Sequence, residues 1–241
     1  MTDETISLPG LALSTNRGVG FSPDRFGASE TDYASQWSII YDTLRSLCRK
    51  YPGHASRGSV AAKVWIIGRT YATQIERRVE SDGSQGSSLD QVVTLIHANA
   101  EVIDGWIAHL PDADEAALDD GFIPGCVHAH GALVELLKTI TKGKAPRSFA
   151  SKYLHFHRPI VPIYDSVASA VLSKIVRWRA GFDCGPLRDP EDTAYREFLM
   201  HLRQLNGLAI ASGLQPSVRA LDWYLMGESE RLRMDNKPSK G

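Results

Sequence analysis

The sequence predicts an all-α protein, and three observations carry that reading. Apolar residues recur at spacings of three and four from about Tyr33 almost to the end, which is the mark of amphipathic helices. Alternating apolar and polar runs of strand length are scarce. The intervals between periodic stretches carry helix punctuation, with prolines at positions 111, 146, 159 and 162. At 241 residues the chain can bury a full core without disulfides or a structural metal. Its 43% hydrophobic and 23% charged content, with 20 Gly and 12 Pro, excludes a collagen-like or wholly disordered chain.

Residues 1–29 show little periodicity and are expected to form a loosely held arm. Helices are expected at about 30–50 and 59–80, the second placing Val60, Val64, Gly68, Tyr71 and Ile75 on one face. After the Gly/Ser-rich loop 81–87, Ser88-Leu89-Asp90-Gln91 reads as a capping box that opens a helix ending before Pro111. An acidic turn at 112–120 precedes a helix of about 127–140. The polar turn Thr141 to Pro146 leads into a short helix of about 147–156. Residues 157–164, with two prolines, must be extended. Asp165 stands as the N-cap of a helix through Trp178, whose inner face would be Val167, Ala170, Val171, Ile175 and Trp178. Helices of about 191–206 and 216–233 close the chain.

The formal net charge of −1 hides a strong asymmetry. From Lys138 to Arg179 nine basic residues stand against one acid, Asp165; from Glu101 to Leu137 eight acids stand with no Lys or Arg. A basic block on a helix–turn–helix element is an electrostatic footprint for a phosphate backbone, and the alternative is two solvated faces that pair with each other. Cys48, Cys126 and Cys184 lie too far apart in sequence for a Cys-x-x-Cys pair and read as reduced structural thiols. No run reaches the roughly 18 apolar residues of a spanning helix, and Met1-Thr2-Asp3-Glu4 lacks the basic flank of a signal peptide, so a cytoplasmic location is expected.

Asp165 is the lone acid of the basic block, placed where an extended segment meets a helix. A helix cap explains such an aspartate, and so does a carboxylate facing the same ligand as the basic turn. Ile140 to Leu172, ITKGKAPRSFASKYLHFHRPIVPIYDSVASAVL, resembles the core of helix–hairpin–helix DNA glycosylases of the endonuclease III and adenine-glycosylase type. Ser148-Phe149-Ala150 stands in for the Ser/Lys-Thr-Ala pattern of that family's short helix after the hairpin. Pro162-Ile163-Tyr164-Asp165 matches its extended step into a catalytic aspartate. Upstream, Val64-Trp65-Ile66 with Thr73-Gln74-Ile75 is similar to the family's helix with a glutamine against the DNA strand.

The resemblance implies a two-lobed, all-α fold with the active site in the cleft between lobes. One lobe would be residues 59–164, with the hairpin at 127–156, and the other would combine 30–58 with 165–235. It also implies a monofunctional glycosylase that flips a modified or damaged base from DNA, hydrolyses its N-glycosidic bond and leaves an abasic site. Small members without an iron–sulfur cluster include phage-defence enzymes that excise hypermodified bases such as glucosylated hydroxymethylcytosine. Asp165 would be catalytic; Trp65, Tyr71, Gln74, Tyr164, His155 and His157 would form the base pocket. Lys142, Gly143, Lys144, Arg147, Ser148 and Lys152 would hold the DNA backbone.

The departures are informative. The family's hairpin reads Leu-Pro-Gly-Val-Gly, whereas Thr141 to Ala145 has one glycine and two lysines. Strand-cleaving members carry a lysine nucleophile about 18 residues before the aspartate, where this chain has Arg147 and Ser148. Because an imine needs an amine, no lyase activity is expected, with Lys152 one turn further along. No cofactor or metal is expected: Cys126, His128 and His130 are spaced i, i+2, i+4, and i and i+2 face different sides of one helix. A non-catalytic DNA- or RNA-binding helix–hairpin–helix module is the alternative function, with Asp165 serving only as a cap.

Overall fold

The computed structural model describes residues 20–71, 73–79, 87–114, 117–176 and 189–235, with all their side chains except those of 30–37. Among these residues the protein is all-α: ten helices, and one isolated antiparallel bridge between Ala117 and Ser217 in place of any sheet. They are α1 (Pro23–Lys50), α2 (Arg57–Thr70), α3 (Ile75–Arg78), α4 (Ser88–Ala98), α5 (Ala100–Ala108), α6 (Ile123–Lys138), α7 (Arg147–His157), α8 (Ser166–Ile175), α9 (Thr193–Ala211) and α10 (Val218–Asp235).

α1 begins earlier than periodicity predicts. Ser22 caps it by accepting from the Arg25 N–H, Pro23 takes the first helical position, and buried Phe26 packs 5.3 Å from the Tyr224 ring on α10. Residues 20–29, expected in the arm, therefore lead into and open α1; the remainder of that arm lies outside the described residues. One anchoring phenylalanine makes no visible period.

The helix expected over 59–80 is broken. The Tyr71 carbonyl accepts from Lys152 Nζ at 3.2 Å, so it is not given to the residue a turn ahead, and Gln74 turns left-handed (φ 57°) before α3. The helix expected from 88 to Pro111 divides into α4 and α5 at Asn99, whose side-chain amide donates to the Leu95 carbonyl at 2.8 Å. Its capping box sits one residue earlier than the sequence pattern suggests. Ser87 Oγ accepts from the Asp90 N–H and Asp90 Oδ2 accepts from the Ser87 N–H.

α6 and α7 form the expected helical hairpin. Between them Lys142 and Gly143 both take positive φ (55° and 68°), and the Lys144 N–H closes the turn on the Thr141 carbonyl at 3.0 Å. A turn with two left-handed residues needs only one glycine here because Lys142 accepts the conformation. α7 is buried continuously from Phe149 to His157. In α8 the buried stripe is Ala168, Val171, Leu172 and Ile175, while Val167 and Ala170 face a groove shared with Leu232 and Arg233 of α10, not the core. Trp178 lies outside the described residues.

Helix packing falls into two sets. α2 packs on α4 and α7, α4 on α3 and α5, and α6 on α5 and α7; α10 packs on α1, α8 and α9, and α8 on α9. α1 meets α2 and α7, and α6 meets α9, which joins the sets. At the α6–α9 crossing the His130 ring stacks on Tyr195 with centroids 3.7 Å apart. Beside it Gly131 admits the chain so closely that a Cβ would lie 1.9 Å from the Pro190 carbonyl oxygen and 2.9 Å from Glu191 Cα. Both neighbours are backbone. Gly131→Ala is expected to lower stability by about 2–3 kcal/mol, overpacking outweighing the helix propensity that alanine adds. Denaturant unfolding checks this, and a stabilised variant would contradict the crossing.

Candidate active site

The site is built where the two helix sets meet. The extended segment after α7 ends at Asp165, whose backbone is still extended (φ −131°, ψ 139°) as it caps α8. Asp165 Oδ1 accepts from the Val167 N–H at 2.8 Å, and Oδ2 lies 3.8 Å from Lys152 Nζ. The aspartate side chain is 33% exposed and the lysine side chain 9%. One carboxylate oxygen is thus committed to the helix and the other faces a buried amine.

Lys152 is held from three sides. Its ammonium donates to the Tyr71 carbonyl at 3.2 Å and to Ser148 Oγ at 3.1 Å, and it lies 5.8 Å from the Tyr71 ring centre. Burial lowers its pKa from the ordinary lysine value, while the charges of Asp165 and Asp222 act the other way. The expectation that Lys152 grips the DNA backbone is corrected here, because α7 turns it inward. Ser148 is likewise engaged by Lys152. Arg147 is paired with Asp192, its Nε donating to both carboxylate oxygens at 2.7 and 2.9 Å. Asp192 also caps α9 through the Tyr195 N–H at 2.9 Å, so Arg147 is tied to the fold and not presented to a ligand. Lys142, Gly143 and Lys144 stand exposed on the turn.

The aromatic and polar residues expected around a base divide sharply. Tyr71 lies at the site, its ring 5.2 Å from Phe156, and Lys152 binds its carbonyl. Tyr164 precedes Asp165; its N–H donates to Ser151 Oγ at 2.9 Å and its ring packs on Phe198 at 5.4 Å. Gln74 is exposed on its left-handed turn, a backbone state a non-glycine residue adopts at a cost. Trp65 is 36% exposed, with the Arg69 guanidinium 5.3 Å from its ring. His155 and His157 are 1% exposed and belong to the core instead of a pocket. His155 Nδ1 is bonded to the Val161 carbonyl at 2.8 Å, and the His157 ring stacks on His54 at 5.0 Å. His128 faces away from Cys126 and His130 as its spacing requires and is exposed, while the two buried residues take separate partners: Cys126 Sγ donates to the Ile160 carbonyl and His130 bonds the Arg147 carbonyl.

Residues from α1 and α10 complete the site. Asp222 is near enough to Lys152 and Asp165 for their charges to act on it, and near enough to Tyr71 to act on that phenol. Arg219, one turn earlier, lies 3.8 Å from the Tyr41 ring centre and 4.4 Å from that of Trp223. Tyr41 packs on Phe156 at 5.3 Å, which places it beside Tyr71. An arginine and an aspartate one turn apart, next to a tryptophan in a core-forming helix, are the sequence signal available for this half.

The charge blocks are largely consumed within the fold. Arg158 faces Asp112 at 3.7 Å and Lys138 pairs with Glu135 at 2.5 Å, joining one block to the other. Arg45 and Arg49 of α1 take Asp112 and Asp114, and Arg203 takes Asp120. Of the basic block, Lys142, Lys144 and Lys174 stay exposed, and Arg177 and Arg179 lie outside the described residues. No described helix is long and apolar enough to cross a membrane. The chain matches no protein-family model, no curated protein and no solved structure.

Proposed function

We propose that the chain is a monofunctional DNA glycosylase that hydrolyses the N-glycosidic bond of an extruded, modified or damaged base. The observation that carries this reading is Asp165: a part-exposed carboxylate fixed by a helix N-terminus and by a buried lysine that itself lies 5.8 Å from the Tyr71 ring centre. Cleaving an N-glycosidic bond builds positive charge on the deoxyribose, and a rigid carboxylate under the sugar stabilises that charge before it forms. Asp165 does this and orients the attacking water. Lys152 holds the carboxylate in place. Tyr71 and Tyr41 offer flat faces for the base, Gln74 meets the strand it leaves, and Lys142 and Lys144 contact phosphates. In this reading the two helix sets are the lobes of a helix–hairpin–helix glycosylase fold, and hypermodified phage bases such as glucosylated hydroxymethylcytosine are the substrates of an anti-phage defence enzyme.

The testing experiment incubates the protein, without metal, on DNAs carrying candidate bases, modified phage DNA included, and cleaves abasic sites with alkali. Asp165-dependent breaks support the reading. DNA binding with no Asp165-dependent breaks on any of them supports the non-catalytic binding module instead.

One observation favours a second reading. A buried amine with a lowered pKa, 3.8 Å from the carboxylate, has the chemistry of an imine-forming lyase even though it stands off the family's usual position. For a strictly hydrolytic enzyme, borohydride added during turnover is expected to trap no protein–DNA adduct. An adduct that disappears in Lys152→Met would assign the lyase.

A further inference from the structure

Between α3 and the hairpin turn a set of cations finds no acid among the described residues. α3 carries Glu76, Arg77 and Arg78 in a row. Glu76 is held by Arg69 of α2, whose Nε lies 2.5 Å from Oε1. Arg78 reaches the hairpin, where its Nη1 donates to the Ala145 carbonyl at 2.8 Å. Arg77 is exposed, and its side chain makes no hydrogen bond or ion pair to a described residue.

The Ala145 carbonyl belongs to the turn that carries Lys142 and Lys144. Thr141, fully buried, closes that turn from within: its carbonyl accepts from the Lys144 N–H at 3.0 Å, and its Oγ1 donates to the Lys144 carbonyl at 2.6 Å. Arg78 ties the same turn from outside. Both lysines are exposed, and neither has an acid partner among the described residues. Arg77 and Lys144 are the chain neighbours of the two bonded residues, one Cα step of about 3.8 Å away on either side. α3 and the turn therefore form one ridge, with exposed Gln74 at the head of α3. Its cations Arg77, Lys142 and Lys144 stand side by side on the surface instead of converging on a pocket, which fits a line of phosphates better than a single anion. A turn held at both sides also loses little freedom when its lysines meet that line.

We propose that α3 and the hairpin turn grip the DNA backbone as a unit, with Arg77 contacting a phosphate alongside Lys142 and Lys144, and Arg78 as the positioning residue that holds the turn to α3. The proposal rests on the DNA-binding part of the reading above and adds to it an element from outside the hairpin. Arg77 meets phosphate oxygens, so it fixes the register of the strand beside Gln74 and reads no base. Arg69, paired with Glu76, keeps that acid from opposing the phosphates.

The test measures binding of the full chain to fluorescently labelled, mixed-sequence DNA duplexes by anisotropy, from about 50 to 200 mM salt, with folding followed by circular dichroism. Because Arg77 is exposed and its side chain is bonded to no described residue, its removal spares the fold. Arg77→Ala is expected to weaken binding several-fold, equally on unrelated sequences. It should also lower the slope of log affinity against log salt by about 0.9, the value of one phosphate contact on duplex DNA. Arg78→Ala is expected to weaken binding too, and most of that penalty should vanish when Lys142 and Lys144 are already alanine, because Arg78 acts through them. Arg77→Ala keeps its full penalty in that background. An Arg77→Ala variant with the wild-type affinity and slope overturns the proposal and leaves the glycosylase reading intact. An Arg78→Ala penalty that adds in full to that of the two lysines overturns the positioning role. A wild type that binds no DNA overturns both the ridge and the glycosylase. DNA bound with these slopes, but with no abasic sites formed on any candidate DNA, supports the ridge and removes the hydrolysis.

Discussion

Asp165→Asn is expected to lower abasic-site formation by on the order of 10³-fold or more while leaving the protein folded and bound to DNA. The substitution separates the helix cap that the structure shows from the catalytic role proposed for the same side chain. Asparagine caps helices as well as aspartate does, so the bond to the Val167 N–H survives and α8 keeps its start. What is lost is the negative charge that the proposed mechanism sets against the sugar. Removing an anion from a surface that meets phosphates should hold or tighten DNA binding, so a gel shift should show equal or stronger retention by the variant. Asp165→Ala is the informative contrast. It removes the cap as well and should cost about 1 kcal/mol of stability, with no further loss of activity expected beyond that of Asp165→Asn. If Asp165→Asn turns over at the wild-type rate, Asp165 is a cap and nothing more.

Why Asp165 is legible in the sequence, and its neighbours are not, follows from what each signal measures. A proline-rich segment ending in an aspartate before an apolar period marks an extended-to-helix step locally, and the structure places the cap there. Lys152, His155 and His157 lie in the same stretch, where the sequence alone leaves surface, pocket and, for the histidines, core open. α7 is buried on all sides, so no polar stripe distinguishes a solvent face; Lys152 and His155 turn to the Tyr71 and Val161 carbonyls, the His157 ring packs on His54, and the Nε2 atoms of both histidines are buried without a hydrogen-bond partner among the described residues. Asp222 and Arg219 come from a helix far along the chain, and only tertiary packing carries them to Asp165. The charge blocks leave their two readings open for the same reason. Proximity in sequence says nothing of Arg45 and Arg49, which cross from α1 to neutralise Asp112 and Asp114.

Acid is expected to unfold this protein at unusually mild pH, between about 6.5 and 4, because it buries four histidines uncharged. His130 and His155 are lowered to about 4, chiefly by burial. His54 and His157 are also lowered, first by burial and then by charges that include Lys63; the His54–Asp104 bond at 2.5 Å opposes this without reversing it. In the unfolded chain each would take a proton near pH 6.5. The folded state therefore binds fewer protons below that pH, and stability falls as pH drops toward each folded value. At pH 5.5 the loss is about 1.4 kcal/mol for each of His130 and His155, or about 3 kcal/mol for the two, with His54 and His157 acting in the same direction, which is a large share of many domains' whole stability. Asp222 works in the opposite direction. Raised to about 7, it binds its proton more tightly folded than unfolded and returns about 2 kcal/mol at most over the same range, less for its partial exposure. The histidines win. Urea unfolding at a series of pH values should show the steepest loss between pH 6.5 and 5, and His155→Asn should flatten that slope by about 1.4 kcal/mol per pH unit while lowering stability at neutral pH. Stability that stays level from pH 7 to 5 and falls only where carboxylates titrate would show that these rings are not held neutral. Because α7 carries both His155 and Lys152, loss of the fold on this side of neutrality also dismantles the site, so the acid limb of any activity profile is expected to follow folding.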